Sequence, residues 1–256
     1  KETELPIIRL MHAGLYLANK FIVASSNIEF PRSKLAVNIL VDCSSFISDE
    51  NKIFNMMIIC GLTQALDSLE IPYSVAVIAD QKFKCIIKSF SDQHSPYFLQ
   101  KICDCLLIKR YRTKLASSIK FAIESMEYKA EGNDNERPYR GIFVFSDGLD
   151  EQLVLTNAWS ENILVYDKDS LDNKIPFDEK YSFGFVFIKS SKLIGDDLLS
   201  VENVWNKFEK EVNESKSRPI IKVAPIKFEI KSDFNEEVSD ELVKLFVRVI
   251  ERKEIQ

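Results

Sequence analysis

The stretch that most constrains the fold is residues 35–48, where an apolar run ends abruptly in an aspartate. The run includes Val37, Ile39 and Val41, and it is too short and too rich in β-branched residues for a buried helix, so it predicts a buried strand. Asp42 then lies at the carboxyl end of that strand, and ligands of open α/β sheets bind outside such ends. A carboxylate followed by serine hydroxyls offers the oxygen ligands that Mg²⁺ and Mn²⁺ prefer.

The rest of the chain alternates predicted helices and strands around this strand. Apolar residues at helical spacing predict helices at residues 5–21, 52–69, 97–107, 115–126, 198–212 and 236–252. Further strands are predicted at residues 73–79, 83–90, 142–145, 183–188 and 220–230. A tight turn makes the first two of these antiparallel, and Pro225 places the last at a sheet edge. The predicted fold class is α/β, doubly wound, with a mostly parallel sheet, one antiparallel edge strand and helices on both faces.

Two later stretches carry polar residues at the ends of predicted elements. Thr113 lies at the start of the helix at residues 115–126, where its hydroxyl suits an N-cap. It is preceded and followed by basic residues, which as a group form either a solvated loop or a rim that attracts an acidic partner. Ser-Asp-Gly follows the strand at residues 142–145, which places Asp147 and Gly148 outside a second strand end.

Together, these three stretches resemble the von Willebrand factor A (vWA) family. Residues 42–46 are similar to its Asp-x-Ser-x-Ser motif, Thr113 lies where the family has a threonine ligand, and residues 146–148 match its Ser-Asp-Gly signature. The resemblance covers roughly residues 34–250. It implies a divalent-ion site with an open position that an acidic side chain of a partner protein completes. The implied metal ligands are Asp42, Ser44, Thr113 and Asp147.

Phe46 departs from the family pattern, because the third motif position is a serine there. Two alternatives follow. Water could replace the lost hydroxyl, since Mg²⁺ keeps several waters in proteins. Alternatively, Phe46 covers the site with apolar surface, and a metal-free site uses the basic loop in place of the ion. In both cases the expected partner-binding residues are Ser45, Phe46, Lys109, Arg110, Arg112, Lys114 and Gly148.

Within the family, the sequence is similar to the midasin branch, on residues 68–77, the Thr113 loop, the Ser-Asp-Gly stretch and the closing helix. This likeness implies a place in a large assembly. We expect residues 1–33 to form an N-terminal helical extension and residues 34–256 a vWA-like domain. The predicted function is protein–protein interaction through an acidic partner side chain at the strand ends. The alternative is a metal-free structural vWA-like scaffold that packs inside a large complex.

Enzymatic function is not expected. The chain has two histidines, lacks a Gly-x-Ser-x-Gly nucleophile motif, and has no glycine-rich phosphate loop after its first strand. A Mg²⁺-dependent phosphoaspartyl enzyme built on Asp42 is the enzymatic alternative.

Composition narrows the partners and the compartment. A net charge of −5 argues against direct nucleic-acid binding. Five cysteines do not form a disulfide framework in a chain of 256 residues and indicate a reducing compartment. No apolar run approaches a membrane span, and no signal peptide is visible. We therefore expect an intracellular protein, cytoplasmic or nuclear.

Overall fold

The helices and strands of the chain come from a computed structural model that describes residues 4–26, 28, 35–43, 49–78, 84–92, 97–106, 139–146, 181–189, 222–229 and 236–251. The helices are α1 (Glu4–Ser26), α2 (Asp49–Ser68), α3 (Phe98–Leu106) and α4 (Glu236–Glu251). The strands are β1 (Leu35–Asp42), β2 (Tyr73–Ile78), β3 (Lys84–Lys88), β4 (Tyr139–Ser146), β5 (Tyr181–Lys189) and β6 (Lys222–Glu229). The predicted helices at residues 115–126 and 198–212 lie outside the described residues.

The strands form one sheet in the order β3-β2-β1-β4-β5-β6. The strand that ends in Asp42, β1, lies inside the sheet and pairs in parallel with both β2 and β4. The pairs β4–β5 and β5–β6 are also parallel, whereas β3 is antiparallel to β2 at one edge. Pro225 lies in β6 at the opposite edge, as predicted. The predicted fold class, a doubly wound α/β fold with one antiparallel edge strand, is confirmed.

The burial of β1 agrees with its position inside the sheet. All its residues are buried, as expected for a parallel strand covered on both faces. Val37, Ile39 and Val41 point to one face and join the core with α1, α2 and α4. Asn38 and Asp42 point to the other face and are 0% and 1% exposed. The apolar run thus builds the sheet interior and ends in a buried carboxylate.

The first helix packs on α2 through two glycines. The oxygen of Gly14 lies 2.8 Å from the position that a Cβ would take on Gly61, and Leu17 Cβ lies 3.1 Å from that position. A Cβ on Gly14 would instead meet its nearest atom, Cys60 Cβ, at 3.4 Å. The close approach therefore depends on the missing side chain of Gly61.

The same helix also packs on α4. The rings of Phe21 and Phe246 have centroids 4.6 Å apart, and Phe246 stacks on Phe143 of β4 with centroids 6.0 Å apart. Lys20 Nζ donates to Ser239 Oγ at 2.9 Å and to Asp240 Oδ1 at 2.7 Å. Residues before β1 therefore contribute directly to the core of the α/β sheet.

Several predicted boundaries are wrong by a few residues. The predicted end of α1 at residue 21 is too early, because the helix continues to Ser26 and buries Ser25, whose Oγ donates to the Phe21 carbonyl oxygen at 2.7 Å. The predicted start of α2 at residue 52 is too late, since the helix begins at Asp49. The strand predicted at residues 142–145 is too short, because β4 already pairs with β1 at Tyr139. These differences leave the order of the elements unchanged.

Candidate functional site

Of the predicted site residues, Asp42 is the one that the structure describes. The other predicted metal ligands and partner-binding residues lie outside the described residues: Ser44, Ser45, Phe46, Lys109, Arg110, Arg112, Thr113, Lys114, Asp147 and Gly148. The geometry at the strand ends is therefore built from Asp42 and its described neighbours.

Asp42 is the last residue of β1 and is 1% exposed. The chain directly after it is still held by the sheet, because the Cys43 backbone N–H donates to the Ile78 carbonyl oxygen at 2.8 Å. The backbone on either side of the carboxylate is thus fixed by β1 and β2. A ligand that binds Asp42 would meet a group placed by the sheet interior, which is more rigid than a group on a long loop.

The Asp42 carboxylate is held by a residue of the neighbouring strand. Ser146, the last residue of β4, donates a hydrogen bond from its Oγ to Asp42 Oδ2 at 2.8 Å. The parallel register pairs Val41 with Phe145, so the next residue of each strand points to the same face of the sheet. Ser146 is also 1% exposed. Two residues distant in sequence therefore meet as a buried carboxylate–hydroxyl pair at adjacent strand ends.

Ser146 is a site residue that the sequence motifs did not single out. It was part of the Ser-Asp-Gly match, in which only Asp147 and Gly148 were assigned roles. The signal that would have found it is its position as the final residue of a buried strand parallel to β1. A polar residue there shares the crevice with the polar end of the adjacent strand.

The chemistry of this pair fits a hard divalent cation. A buried carboxylate requires a compensating charge or hydrogen bonds, and oxygen ligands are those that Mg²⁺ takes in proteins. Within the described ranges, no cluster of three or more His, Cys, Asp or Glu side chains could hold a metal ion. Asp42 would therefore need Ser44, Thr113 and Asp147, as the vWA resemblance implies, to complete a metal site.

A second buried polar group lies on the same face of the sheet, toward the amino ends of the strands. Arg140 donates from Nε and Nη2 to Asn38 Oδ1 at 3.0 and 2.6 Å, and Asn38 Nδ2 donates to Ser74 Oγ at 2.7 Å. Arg140 also lies over the Phe90 ring, 5.9 Å from its centroid. This network links β4, β1 and β2 side by side. It was not predicted, because Asn38 lies inside an apolar run.

Lys88 of the edge strand is a buried cation near this network. Its Nζ donates to the Tyr73 carbonyl oxygen at 3.1 Å and lies 4.4 Å from the centroid of the Tyr73 ring. Burial lowers the pKa of Lys88, and burial together with the Asp67 carboxylate raises the pKa of Tyr73. These groups surround the start of β2, at the opposite end of the sheet from Asp42, so they lie away from the candidate site.

The fold and the strand-end position define the chain as an α/β protein with a buried carboxylate–hydroxyl pair at the carboxyl ends of β1 and β4. No protein-family model matches the sequence, and no curated protein sequence matches it significantly.

Among solved structures, the chain is similar to the VWA domain of SpRpn10, with a TM-score of 0.43 and 11% sequence identity over 81% of this chain and 93% of that chain. It is also similar to BatB, a conserved hypothetical protein from Bacteroides thetaiotaomicron, with a TM-score of 0.44 and 12% identity over 82% of this chain and 98% of that chain.

None of the helices in the described part of the chain is both long enough and apolar enough to cross a membrane.

Proposed function

We propose that this chain is a non-enzymatic protein–protein interaction domain of the vWA type, with its partner surface at the carboxyl ends of β1 and β4. The observation that carries the proposal is the buried Asp42 carboxylate at the end of an interior strand, held at 2.8 Å by Ser146. A buried carboxylate costs free energy unless it is compensated, so its retention at the ligand-binding end of the sheet favours a functional role.

The proposed ligand set for Mg²⁺ is Asp42, Ser44, Thr113 and Asp147. When bound, the ion would supply positive charge and a water position that a partner carboxylate can replace. Asp42 holds its place through β1 and Ser146, so its contribution needs no rearrangement of the sheet. Where Phe46 excludes the ion, the basic loop at residues 109–114 supplies the positive charge instead.

The proposed partner is another protein that presents an acidic side chain, within a larger intracellular assembly. The basic loop and the midasin-like sequence stretches support this choice, since both were found beside the vWA motifs. The net charge of −5 favours a protein partner over nucleic acid.

The test is capture of partner proteins by the immobilised chain in Mg²⁺ and in EDTA. Asp147→Ala removes a proposed ligand, and Asp104→Ala is the matched control because Asp104 is an exposed carboxylate on α3. The proposal predicts that the same partner is retained by wild type and by Asp104→Ala in Mg²⁺, and that it is lost in EDTA and with Asp147→Ala. A partner retained by all variants in EDTA would contradict the metal-dependent form of the proposal.

A separate observation, on the exposed side of α1, favours the alternative of a metal-free structural scaffold. The outward face of α1 carries Leu15, Tyr16 and Val23, which are 43%, 45% and 66% exposed. Apolar side chains on one exposed helix favour packing against another protein, although scattered ones are common on monomers. Under this alternative, Val23→Asp abolishes capture, whereas Asp147→Ala and EDTA leave it unchanged.

A further inference from the structure

Two free thiols meet where α3 packs against the edge strand β3. Cys85 lies on β3 and is half-buried, whereas Cys105 lies near the end of α3 and is 9% exposed. The Cys105 thiol donates a hydrogen bond to the sulfur of Cys85, so the two sulfur atoms are direct neighbours. The contact joins two different elements of the fold, and it exists because α3 packs on β3.

The alternation of β3 and the helical spacing of α3 explain why the thiols meet. Ile87 is 8% exposed and Ile86 is 40% exposed, so Cys85 and Ile87 point to the same, inward face of the edge strand. On α3, three buried residues at helical spacing join the same core as Ile87, namely Phe98, Ile102 and Cys105. Each thiol is therefore placed by buried apolar neighbours on its own element.

The two thiols differ in their access to solvent. Burial raises the pKa of Cys105 to about 11, and the hydrogen bond with Cys85 raises it further, so Cys105 keeps its proton at neutral pH. Cys85 is the more exposed of the two, and a small oxidant from solvent therefore reaches its sulfur first. In a reducing compartment, a disulfide between two such thiols forms transiently, as in redox sensing.

We propose that Cys85 and Cys105 form a reversible disulfide that fixes α3 to β3 when the chain meets hydrogen peroxide. The Cys85 sulfur attacks one peroxide oxygen and the O–O bond breaks, so Cys85 becomes a sulfenic acid and the other oxygen leaves as water with the Cys85 proton. The Cys105 sulfur then attacks the Cys85 sulfur and the S–O bond breaks, so the hydroxyl leaves as a second water with the Cys105 proton. Two thiols are oxidised and one peroxide is reduced, and a thiol reductant restores the pair. The inference does not depend on the proposed function.

The experiment treats the purified, reduced chain with hydrogen peroxide, alkylates the remaining thiols and maps linked peptides by mass spectrometry. Thermal midpoints are measured before oxidation, after it, and again after dithiothreitol. Cys85→Ser removes one partner of the pair. Cys60→Ser is the matched control, because Cys60 is also half-buried but lies on α2. Cys103→Ser tests the neighbouring cysteine of α3.

We expect a Cys85–Cys105 cross-link in wild type, in Cys60→Ser and in Cys103→Ser, and none in Cys85→Ser. The cross-link closes a loop of about 20 residues, which corresponds to a rise of about 6–12 °C in the thermal midpoint. Dithiothreitol should reverse this rise, and peroxide should leave the midpoint of Cys85→Ser unchanged.

Three results would overturn the inference. Alkylation of both Cys85 and Cys105 in folded, peroxide-treated wild type shows that the pair does not form a disulfide. A cross-link that uses Cys103, and is lost in Cys103→Ser, assigns the oxidation to another thiol. A Cys85–Cys105 cross-link that leaves the thermal midpoint unchanged shows that the disulfide does not fix α3 to β3.

Discussion

The contact between α1 and α2 gives the sharpest prediction for stability. Gly61→Ala would place a Cβ 2.8 Å from the backbone oxygen of Gly14 and 3.1 Å from Leu17 Cβ. A backbone oxygen does not rotate away as a side chain does, so the two helices must separate by a few tenths of an ångström. Overpacking of this kind costs about 1–3 kcal/mol. Alanine regains about 1 kcal/mol from its higher helix propensity. We expect a net loss of about 0–2 kcal/mol in the free energy of unfolding.

Gly14→Ala is the matched control for this prediction. It makes the same chemical change in the partner helix, but its Cβ would meet Cys60 Cβ at 3.4 Å and Met57 O at 3.5 Å, which are ordinary contacts. Helix propensity then acts almost alone, so this variant should equal wild type or exceed it by up to about 1 kcal/mol. Because the propensity gain is common to both variants, their difference of about 1–3 kcal/mol measures the steric contact itself.

The assay is urea unfolding of the three proteins followed by circular dichroism. The midpoint of unfolding should fall for Gly61→Ala and hold or rise for Gly14→Ala, with the slope unchanged in both. The reasoning is refuted if Gly61→Ala and Gly14→Ala have the same free energy of unfolding, since the helices would then not be in close contact at Gly61.

Three further predictions test the core, one buried thiol and the proposed site. Phe21→Ala should lower the free energy of unfolding by about 3–5 kcal/mol in urea, because its ring is buried against Phe246, whereas Val23→Ala on the exposed face should change it by less than about 0.5 kcal/mol. Burial raises the pKa of the Cys105 thiol from 9.0 to about 11, so its contribution to stability is complete below pH 9 and is lost between pH 9 and 11. The thermal midpoint should therefore fall less between pH 9 and 11 in Cys105→Val than in wild type. An equal fall in both proteins would contradict the raised pKa of Cys105. Phe46→Ser should strengthen Mg²⁺ binding in calorimetry, and no gain would show that Phe46 does not block the site.

Much of the sheet could be predicted because buried strands, tight turns and edge positions each require particular residue types in the sequence. The apolar run before Asp42 marked β1, since a strand covered on both faces has little room for polar residues. The short connection between β2 and β3 permitted an antiparallel pair only. Pro225 marked an edge because it lacks a backbone N–H. Each of these signals is local in sequence.

The features that sequence patterns missed depend on register between distant strands. Ser146 meets Asp42 because Val41 pairs with Phe145, and no local pattern specifies that pairing. The bond between Arg140 and Asn38 has the same origin, since the two residues lie 102 positions apart. Such pairs become visible once the order and the register of the strands are known.

The end of α1 has little local signal in the sequence. Residues 22–26 read Ile-Val-Ala-Ser-Ser, which gives no clear helical face. They are helical because Phe21 and Ser25 are buried against the body of the fold, and tertiary packing outweighs a weak local preference. The glycine contact between α1 and α2 likewise has no signature in the sequence, since a glycine in a helix pattern predicts only a loss of propensity.

The most direct test of the central claim is the thermal midpoint of the purified chain as Mg²⁺ or Mn²⁺ is added. An ion that binds only the folded state must raise the midpoint with its concentration. Asp42→Asn keeps the size of the side chain and removes its charge, so it separates metal binding from packing. The account predicts a rise for wild type at millimolar metal that is absent from Asp42→Asn. A midpoint that does not move in wild type, or that moves equally in both proteins, would contradict a metal site at the end of β1.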